Sequence, residues 1–418
     1  MRKTKIILLL MLTVIGFTAV FPVFHTYTES CAVDSAVNVS EHTPQEIKQY
    51  IESHQFNTYR TETYTVQPST SYPYLAGSLD NKSLQNALNA LNCMRYIAGL
   101  PEVSLNSEYS NLAQHAALVD CVNDVLTHFP EQPSNMSDDI YEIGAKGARS
   151  SNMAYMSYSW DNYKNTAYSI MLYMEDSDYS NIARLGHRRW CLNPNMKETG
   201  FGSVDHYSAM YAHDLNRTEA TEKGVCWPAQ NMPTQYFDSD TAWSISIGKD
   251  LSDCDIKVNL KRRSDSKEWN FSSNASDGAF YNENSYFGQK GCIIFRPSDI
   301  SINANDVYDV RIEGMEEPVE YTVNFFSLND IPDQPVTYSL GDVNGDGLTD
   351  AVDAAAVLAE YVAISTSHES TLSEEQKKSA DVNSDGATDS SDASQILAYY
   401  SYTATTSSPL SMEEWILQ

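Results

Sequence analysis

The sequence predicts a multidomain fold in three parts: a helix-rich block over residues 83–226, an all-β sandwich over 227–328, and a small all-α module over 341–403 built from two loop–helix repeats. Three observations carry this. A length of 418 residues exceeds one ordinary domain, and 42% apolar content is enough for real cores. Apolar residues recur with helical spacing up to about residue 226 and alternate with polar ones beyond it. A twelve-residue pattern of Asp, Asn and Gly also occurs twice in register, 39 residues apart.

The formal charge is −29, from 27 basic and 56 acidic side chains. A surface this acidic repels phosphate backbones, which excludes nucleic acid as a partner for a general basic face. Acidity suits solubility, or carboxylates gathered around hard cations. Arg2, Lys3 and Lys5 precede an uncharged run from Ile6 to Phe24, the pattern of a secretory signal, assigned to residues 1–30. An uncleaved membrane anchor is the alternative, but Gly16 and Pro22 interrupt the run. Cleavage near Ala19 is favoured, so the expected chain is secreted, extracellular and free of the membrane. Seven cysteines fit export, and none forms a C-x-x-C pair that would indicate a thiolate zinc site. Cys254 with Cys292 is the first pairing expected, and buried free thiols are an equal alternative for the remaining four beyond Cys31.

Within an extension over residues 31–82, Thr43-Pro44-Gln45-Glu46 opens a short helix with Thr43 as N-cap, and Thr61 to Gly77 reads as an extended surface segment. Leu84, Leu88 and Leu91 share one stripe of a helix that begins at Ser83 and stops near Gly99-Leu100-Pro101. A second helix runs from Ser107 to Val122, where Ala113, Ala116 and Ala117 allow close approach of another element; a third covers Trp160 to Met174. In the all-β part, Trp243, Ile245 and Ile247 alternate with small or polar neighbours, as do Ile256, Val258 and Leu260. The same holds for Val310 and Ile312, then Val319, Tyr321, Val323 and Phe325, while Cys292 to Phe295 is a short apolar run. Short strands spaced by turn residues predict an immunoglobulin-like antiparallel sandwich. Pro332 and Pro335 mark a linker over 329–340. In the tail over 404–418, Ser411-Met412-Glu413-Glu414 forms a capping box ahead of Trp415 and Ile416, which either clasp the ends of the module or fray.

The repeated pattern carries its own chemistry. Asp342, Asn344, Asp346, Asp350 and Asp353 place side-chain oxygens at loop positions 1, 3, 5, 9 and 12, and Leu348 offers its carbonyl at position 7. Asp381, Asn383, Asp385, Ala387, Asp389 and Asp392 repeat the set. Calcium takes roughly 6–8 oxygens at about 2.3–2.6 Å in a flexible shell. Gly347 and Gly386 permit the sharp turn at position 6, and position 12 is Asp rather than the Glu of the usual EF-hand. Two calcium ions are expected, one per loop.

Each loop leads into a helix whose residues match: Ala354, Val357, Leu358, Ala359 and Tyr361 correspond to Ala393, Ile396, Leu397, Ala398 and Tyr400. Paired loops with exiting but no entering helices are unlike a calcium sensor. From Leu340 to Thr403 the chain resembles the dockerin module of cellulosomes. That resemblance implies a cohesin module of a scaffoldin as partner, and a cell-surface cellulosome as the location. It also implies contact residues ahead of position 12: Ala351 and Val352 in one copy, Ser390 and Ser391 in the other. Leu358, Ala359, Leu397 and Ala398 are the shared helical contact positions, whereas Val357 and Ile396 are read as packing between the helices.

A second resemblance begins at Leu185-Gly186-His187-Arg188-Arg189-Trp190, followed by Leu192-Asn193-Pro194 and Thr199-Gly200-Phe201-Gly202. With Leu126-Thr127-His128-Phe129-Pro130 and Leu91-Asn92-Cys93-Met94-Arg95-Tyr96, this is similar to the bacterial form of the CAP (SCP-like) superfamily, over Ser83 to Asp214. The resemblance implies a three-layer α-β-α sandwich whose cleft bears two histidines and two acids. His128 and His187 match the histidines and Glu175 one acid, with Asp176 a close competitor; Ser151 stands where the second acid belongs. Zinc or another divalent metal at His128, His187 and Glu175 is what the resemblance admits, although no general base is evident without the second carboxylate. His115 is read as packing, and Arg188 and Arg189 as pairing with nearby carboxylates.

These readings describe a secreted cellulosome accessory protein that docks through calcium loops and presents its CAP-like part to plant cell-wall or cell-surface material. The alternative is a metal-assisted, peptidase-like extracellular hydrolase with His128, His187 and Glu175 as its catalytic set. No carboxylate pair stands in a glycosidase context.

Overall fold

The structure is a computed structural model that describes residues 37–38, 42–156, 165–218, 224–332, 339–366 and 370–417. The expected leader, the start of the helix expected at Trp160, and residues 333–338 of the expected linker lie outside the described residues.

Helix Pro44–Ser53 (α1) starts on its capping box, the Thr43 N–H donating to Glu46 Oε2 at 2.6 Å. Asn81–Ile97 (α2) begins slightly before Ser83, because Asp80 caps it through the Ser83 N–H. Ser107–Asn123 (α3) is capped by Asn106. Asp138–Ser150 (α4) was not anticipated: its buried face is Gly144, Ala145, Gly147 and Ala148, which leaves no leucine periodicity to read. That face lies so near α3 that a Cβ on Gly147 would stand 2.1 Å from the Leu112 carbonyl oxygen. The alanines of α3 permit this approach. Thr166–Glu175 (α5) and Gly186–Cys191 (α6) follow.

Between these helices lies a three-stranded antiparallel sheet, with Tyr207–Tyr211 flanked by Ser151–Tyr155 and Phe201–Val204. Successive strand residues face opposite sides. Accordingly Met153 and Ala209 pack with Ala113, Ala116 and Ala148 of α3 and α4. Their neighbours Ala154 and Met210 join the main core with Leu91 of α2 and Ile170 of α5.

The β-rich middle contains the strands that alternation predicted: Trp243–Ser246, Lys257–Arg262, Cys292–Pro297, Val307–Glu313 and Val319–Phe326. With Val37–Asn38, Gly224–Trp227, Asn231–Pro233, Glu268–Ser272 and Gly278–Glu283 they form two five-stranded sheets, neither closed into a barrel. Two pairings are parallel rather than antiparallel: Val37–Asn38 with Gly224–Trp227, and Asn231–Pro233 with Val319–Phe326. The boundary expected between residues 226 and 227 falls inside Gly224–Trp227, which pairs with Trp243–Ser246. One continuous core runs from Leu91 and Ile170 to Trp227, Trp243, Phe295 and Phe325. The helical and β-rich parts therefore share an interior. Cys254 is disulfide-bonded, but Cys292 is a free buried thiol, so the expected Cys254–Cys292 pair is not made. Cys292 packs in a separate cluster with Ile182, Leu185, Ala242 and Ile294.

The remaining helices are Ala351–Ser365 (α7), Glu374–Ala380 (α8), Ser390–Thr405 (α9) and Met412–Trp415 (α10). Helix α8 enters the second loop, which corrects the expectation of exiting helices only; its start is a Ser373–Gln376 capping box. Val343, Val357, Val382, Ile396, Tyr399 and Met412 make a core of their own. The tail is folded in: α10 buries Met412, and Trp415 stands edge-on to Tyr399 at 5.5 Å. Among the described residues no helix is long and apolar enough to cross a membrane.

Candidate functional sites: a histidine cleft and two acidic loops

Two buried arginines fix the cleft. Arg188 of α6 donates to the carbonyls of Met174 and Ala242 at 2.6 Å and of Glu175 at 2.5 Å. Arg95 of α2 donates to the carbonyls of Pro101, Cys191 and Asn193. Burial pushes Arg95 down to about 9 and Arg188 down to about 10, so both remain charged at neutral pH. Carbonyls, not the expected carboxylates, thus hold Arg188. Arg189 donates to the carbonyls of Ser285 and Gln289 at 2.7 and 2.6 Å, with Glu283 3.8 Å away. Together the arginines clamp α6 between α2, the end of α5 and the β-rich part.

His187 Nδ1 lies 2.8 Å from Asp176 Oδ1, while Asp176 Oδ2 accepts from the backbone N–H of His187 at 3.0 Å. With the carboxylate beside Nδ1, that nitrogen is the donor and Nε2 is left for other partners. His128 Nδ1 is 2.8 Å from the Ala148 carbonyl, and the two imidazole centroids are 6.5 Å apart. They line a cleft of about 350 Å³ that also takes in Ser151, Arg149, Arg184, His213 and Phe287. Phe287 comes from the β-rich part. The Ser151 hydroxyl is buried and has no hydrogen-bond partner among the described residues.

Glu175 is not brought to this cleft. It lines a separate cavity of about 630 Å³ with Met94, Tyr168 and Asp238. Helix α5 ends on Asp176 in the left-handed region (φ 43°), which sends the two consecutive carboxylates to different places. Asp176, the competitor, stands beside His187 instead. His115 bonds within its own helix, Nδ1 to the Asn111 carbonyl at 2.8 Å. His213, whose ring centroid lies 4.3 Å from that of Trp190, was missed by sequence reasoning. It belongs to no motif, and the available signal is its neighbour Asp214, which accepts from the Lys197 and Glu198 N–H groups.

The His128 loop is tied down by Asp120, whose Oδ2 accepts from the Thr127 N–H at 2.9 Å while Oδ1 has no partner among the described residues. Burial pushes this carboxyl up to about 7. The folded state therefore keeps a proton that the unfolded chain has lost between pH about 4 and 7, and stability falls as pH rises through that window. Asp120→Asn, which preserves the acceptor for Thr127, is expected to raise the unfolding free energy at pH 8 by on the order of 3 kcal/mol and to change little at pH 4. Urea denaturation at the two pH values checks this; an equal gain at both would remove the linkage.

In the first loop, Asp342 accepts from the N–H groups of Gly345 at 2.7 Å and Gly347 at 2.9 Å. Asp353 accepts from Val343 at 2.8 Å, Asn344 at 3.0 Å and Asp350 at 2.9 Å. The second loop repeats this, with Asp381 accepting from Gly386 at 2.9 Å and Asp392 from Asn383 and Asp389 at 3.3 and 3.0 Å. Gly347 and Gly386 have φ of 85° and 84°, the left-handed region that position 6 requires. Asp342, Asp353 and Asp392 are buried, and burial raises their carboxyls, Asp353 to about 6.

Among the described residues no group of three or more His, Cys, Asp or Glu is gathered to hold a metal ion. In the cleft the lining offers arginines and imidazoles but no carboxylate, so the expected ligand set of His128, His187 and Glu175 is not assembled there. The loops differ in donor chemistry: every side chain at positions 1, 3, 5, 9 and 12 is an oxygen donor, and buried carboxylates are costly until a cation meets them.

Burial repeats from one copy to the other. Ala351 and Ser390, Val352 and Ser391, Leu358 and Leu397, Ala359 and Ala398 are all exposed, while Val357 and Ile396 are both buried. The copies differ in polarity, since Val352 is 59% exposed where the other copy has Ser391.

Two protein-family models match the chain. The Cysteine-rich secretory protein family (CAP) covers residues 88–217, and the Dockerin type I domain covers residues 340–399. No curated protein matches.

Proposed function

We propose, for a chain that carries a CAP domain and a type I dockerin, that it is an exported accessory protein of a cellulosome. Its dockerin binds calcium and docks onto a cohesin of a scaffoldin, one ion in each loop. The observation that carries this is the duplicated loop, with the same four helical positions exposed in both copies. The CAP domain, read as three α-β-α layers, and the β-rich middle, read as a sandwich, are the cargo. The cargo binds plant cell-wall or cell-surface material. Binding is preferred over metal-assisted hydrolysis because Glu175 lines another cavity and no carboxylate joins His128 and His187 in the cleft lining.

The apolar Ala351-Val352 copy is the preferred cohesin face. Replacing both residues by Ser is expected to weaken cohesin binding about tenfold, the value of one buried valine side chain. Replacing Ser390 and Ser391 by Ala is expected to change it less than twofold. Titration calorimetry against a cohesin distinguishes the two, and equal losses from both replacements would contradict a preferred orientation.

A further inference from the structure

We propose that the histidine cleft binds a carboxylate-bearing sugar, a hexuronate, with its acid group at Arg149 and Arg184. The proposal rests on reading the cleft as a binding site and names the ligand class. In a chain of formal charge −29, the cleft lining holds two arginines and three histidines and no acidic side chain. Asp176 is committed to the His187 ring and backbone N–H. Neither Arg149 nor Arg184 is ion-paired among the described residues; Arg149 lies 6.0 Å from the Phe129 centroid, and Arg184 reaches only the Ser180 carbonyl at 3.4 Å. Both are exposed, with donors in a fork that matches a carboxylate.

The second observation is the orphan hydroxyl. Ser151 is 4% exposed, lines the cleft, and has no partner for Oγ among the described residues, a cost that a ligand hydroxyl would remove. Trp190, Phe129 and Phe287 supply flat apolar walls, and Asn181 an amide, around a volume of about 350 Å³ that suits one or two sugar rings. Aromatic faces with polar hydrogen-bonding groups fit a pyranose better than a bare anion.

Calorimetric titration of the full chain with D-galacturonate, D-galactose, N-acetylalanine and zinc tests this. Galacturonate is expected to bind at least tenfold more tightly than galactose and N-acetylalanine. The Arg149→Gln/Arg184→Gln double variant, altered only at exposed positions, is expected to lose at least tenfold of that affinity, and Ser151→Ala severalfold. Equal affinity for galactose, or an unaffected double variant, would overturn the role of the acid group. N-acetylalanine binding as tightly as galacturonate would overturn the sugar, and zinc binding lost with His128→Ala would overturn the anion site. A chain that docks normally on a cohesin yet ignores galacturonate sinks this inference and leaves the docking function standing.

Discussion

Chelating calcium is expected to release the chain from an immobilised cohesin and to unfold residues 339–417, while the rest stays folded. Among the described residues the core of that part is only nine buried residues, three of them alanines. A core this small cannot offset the chain entropy of its loops unaided. Each loop also places four aspartates within twelve residues, with Asp353 and Asp392 buried at the start of α7 and α9. An ion that binds only the folded loop contributes about 4 kcal/mol at a thousandfold excess over its Kd, and two loops double that. Far-UV circular dichroism with and without chelator should show the loss of α7 and α9, in step with cohesin release. Asp353→Asn and Asp392→Asn should each raise the calcium needed for retention. Cohesin retention that is unchanged in chelator would refute the calcium requirement.

Arg188→Met is expected to cost the CAP and β-rich parts together about 3–5 kcal/mol, because each buried carbonyl left without its donor costs about 1–3 kcal/mol. Three carbonyls from two parts of the chain, Met174, Glu175 and Ala242, lose the guanidinium at once, and Glu175 keeps the Ser177 hydroxyl at 2.6 Å. Lysine is not expected to rescue, because an ammonium cannot present the planar fork that reaches all three. The informative readout is cooperativity. In the wild type, near-UV signals from Trp190 and from Trp243 should melt together, since Trp190 packs against the core that holds Trp243, and the variant should shift both. A shift confined to Trp190 would mean that the β-rich part stands alone.

Much of this architecture is legible in the residues because it rests on local signals. The α1 and α10 starts are capping boxes, α2 has an apolar stripe, and the loops declare themselves by donor spacing. Val319–Phe326 alternates because one face is buried, whereas Trp243–Ser246 is buried throughout and is legible only because serines separate its large apolar residues. What escaped lacks such signals. Helix α4 buries glycines and alanines, whose value is close approach rather than hydrophobicity. Strand Gly224–Trp227 is buried throughout and so shows no alternation to read. At the cleft, His128 and His187 were recognisable from their motifs, but the choice between Glu175 and Asp176 turns on one left-handed residue at a helix end. His213 and Phe287 reach the cleft only through tertiary folding.

The strand Gly224–Trp227 bears on how such chains can be rearranged by recombination. A crossover between residues 226 and 227 would strip Trp243–Ser246 of a neighbour and open a raw sheet edge on each fragment. Such an edge is a template for self-association. The cassette that can be shuffled intact among plug-in partners is therefore the whole stretch from Val37–Asn38 through Val319–Phe326, inherited as a single piece of freight.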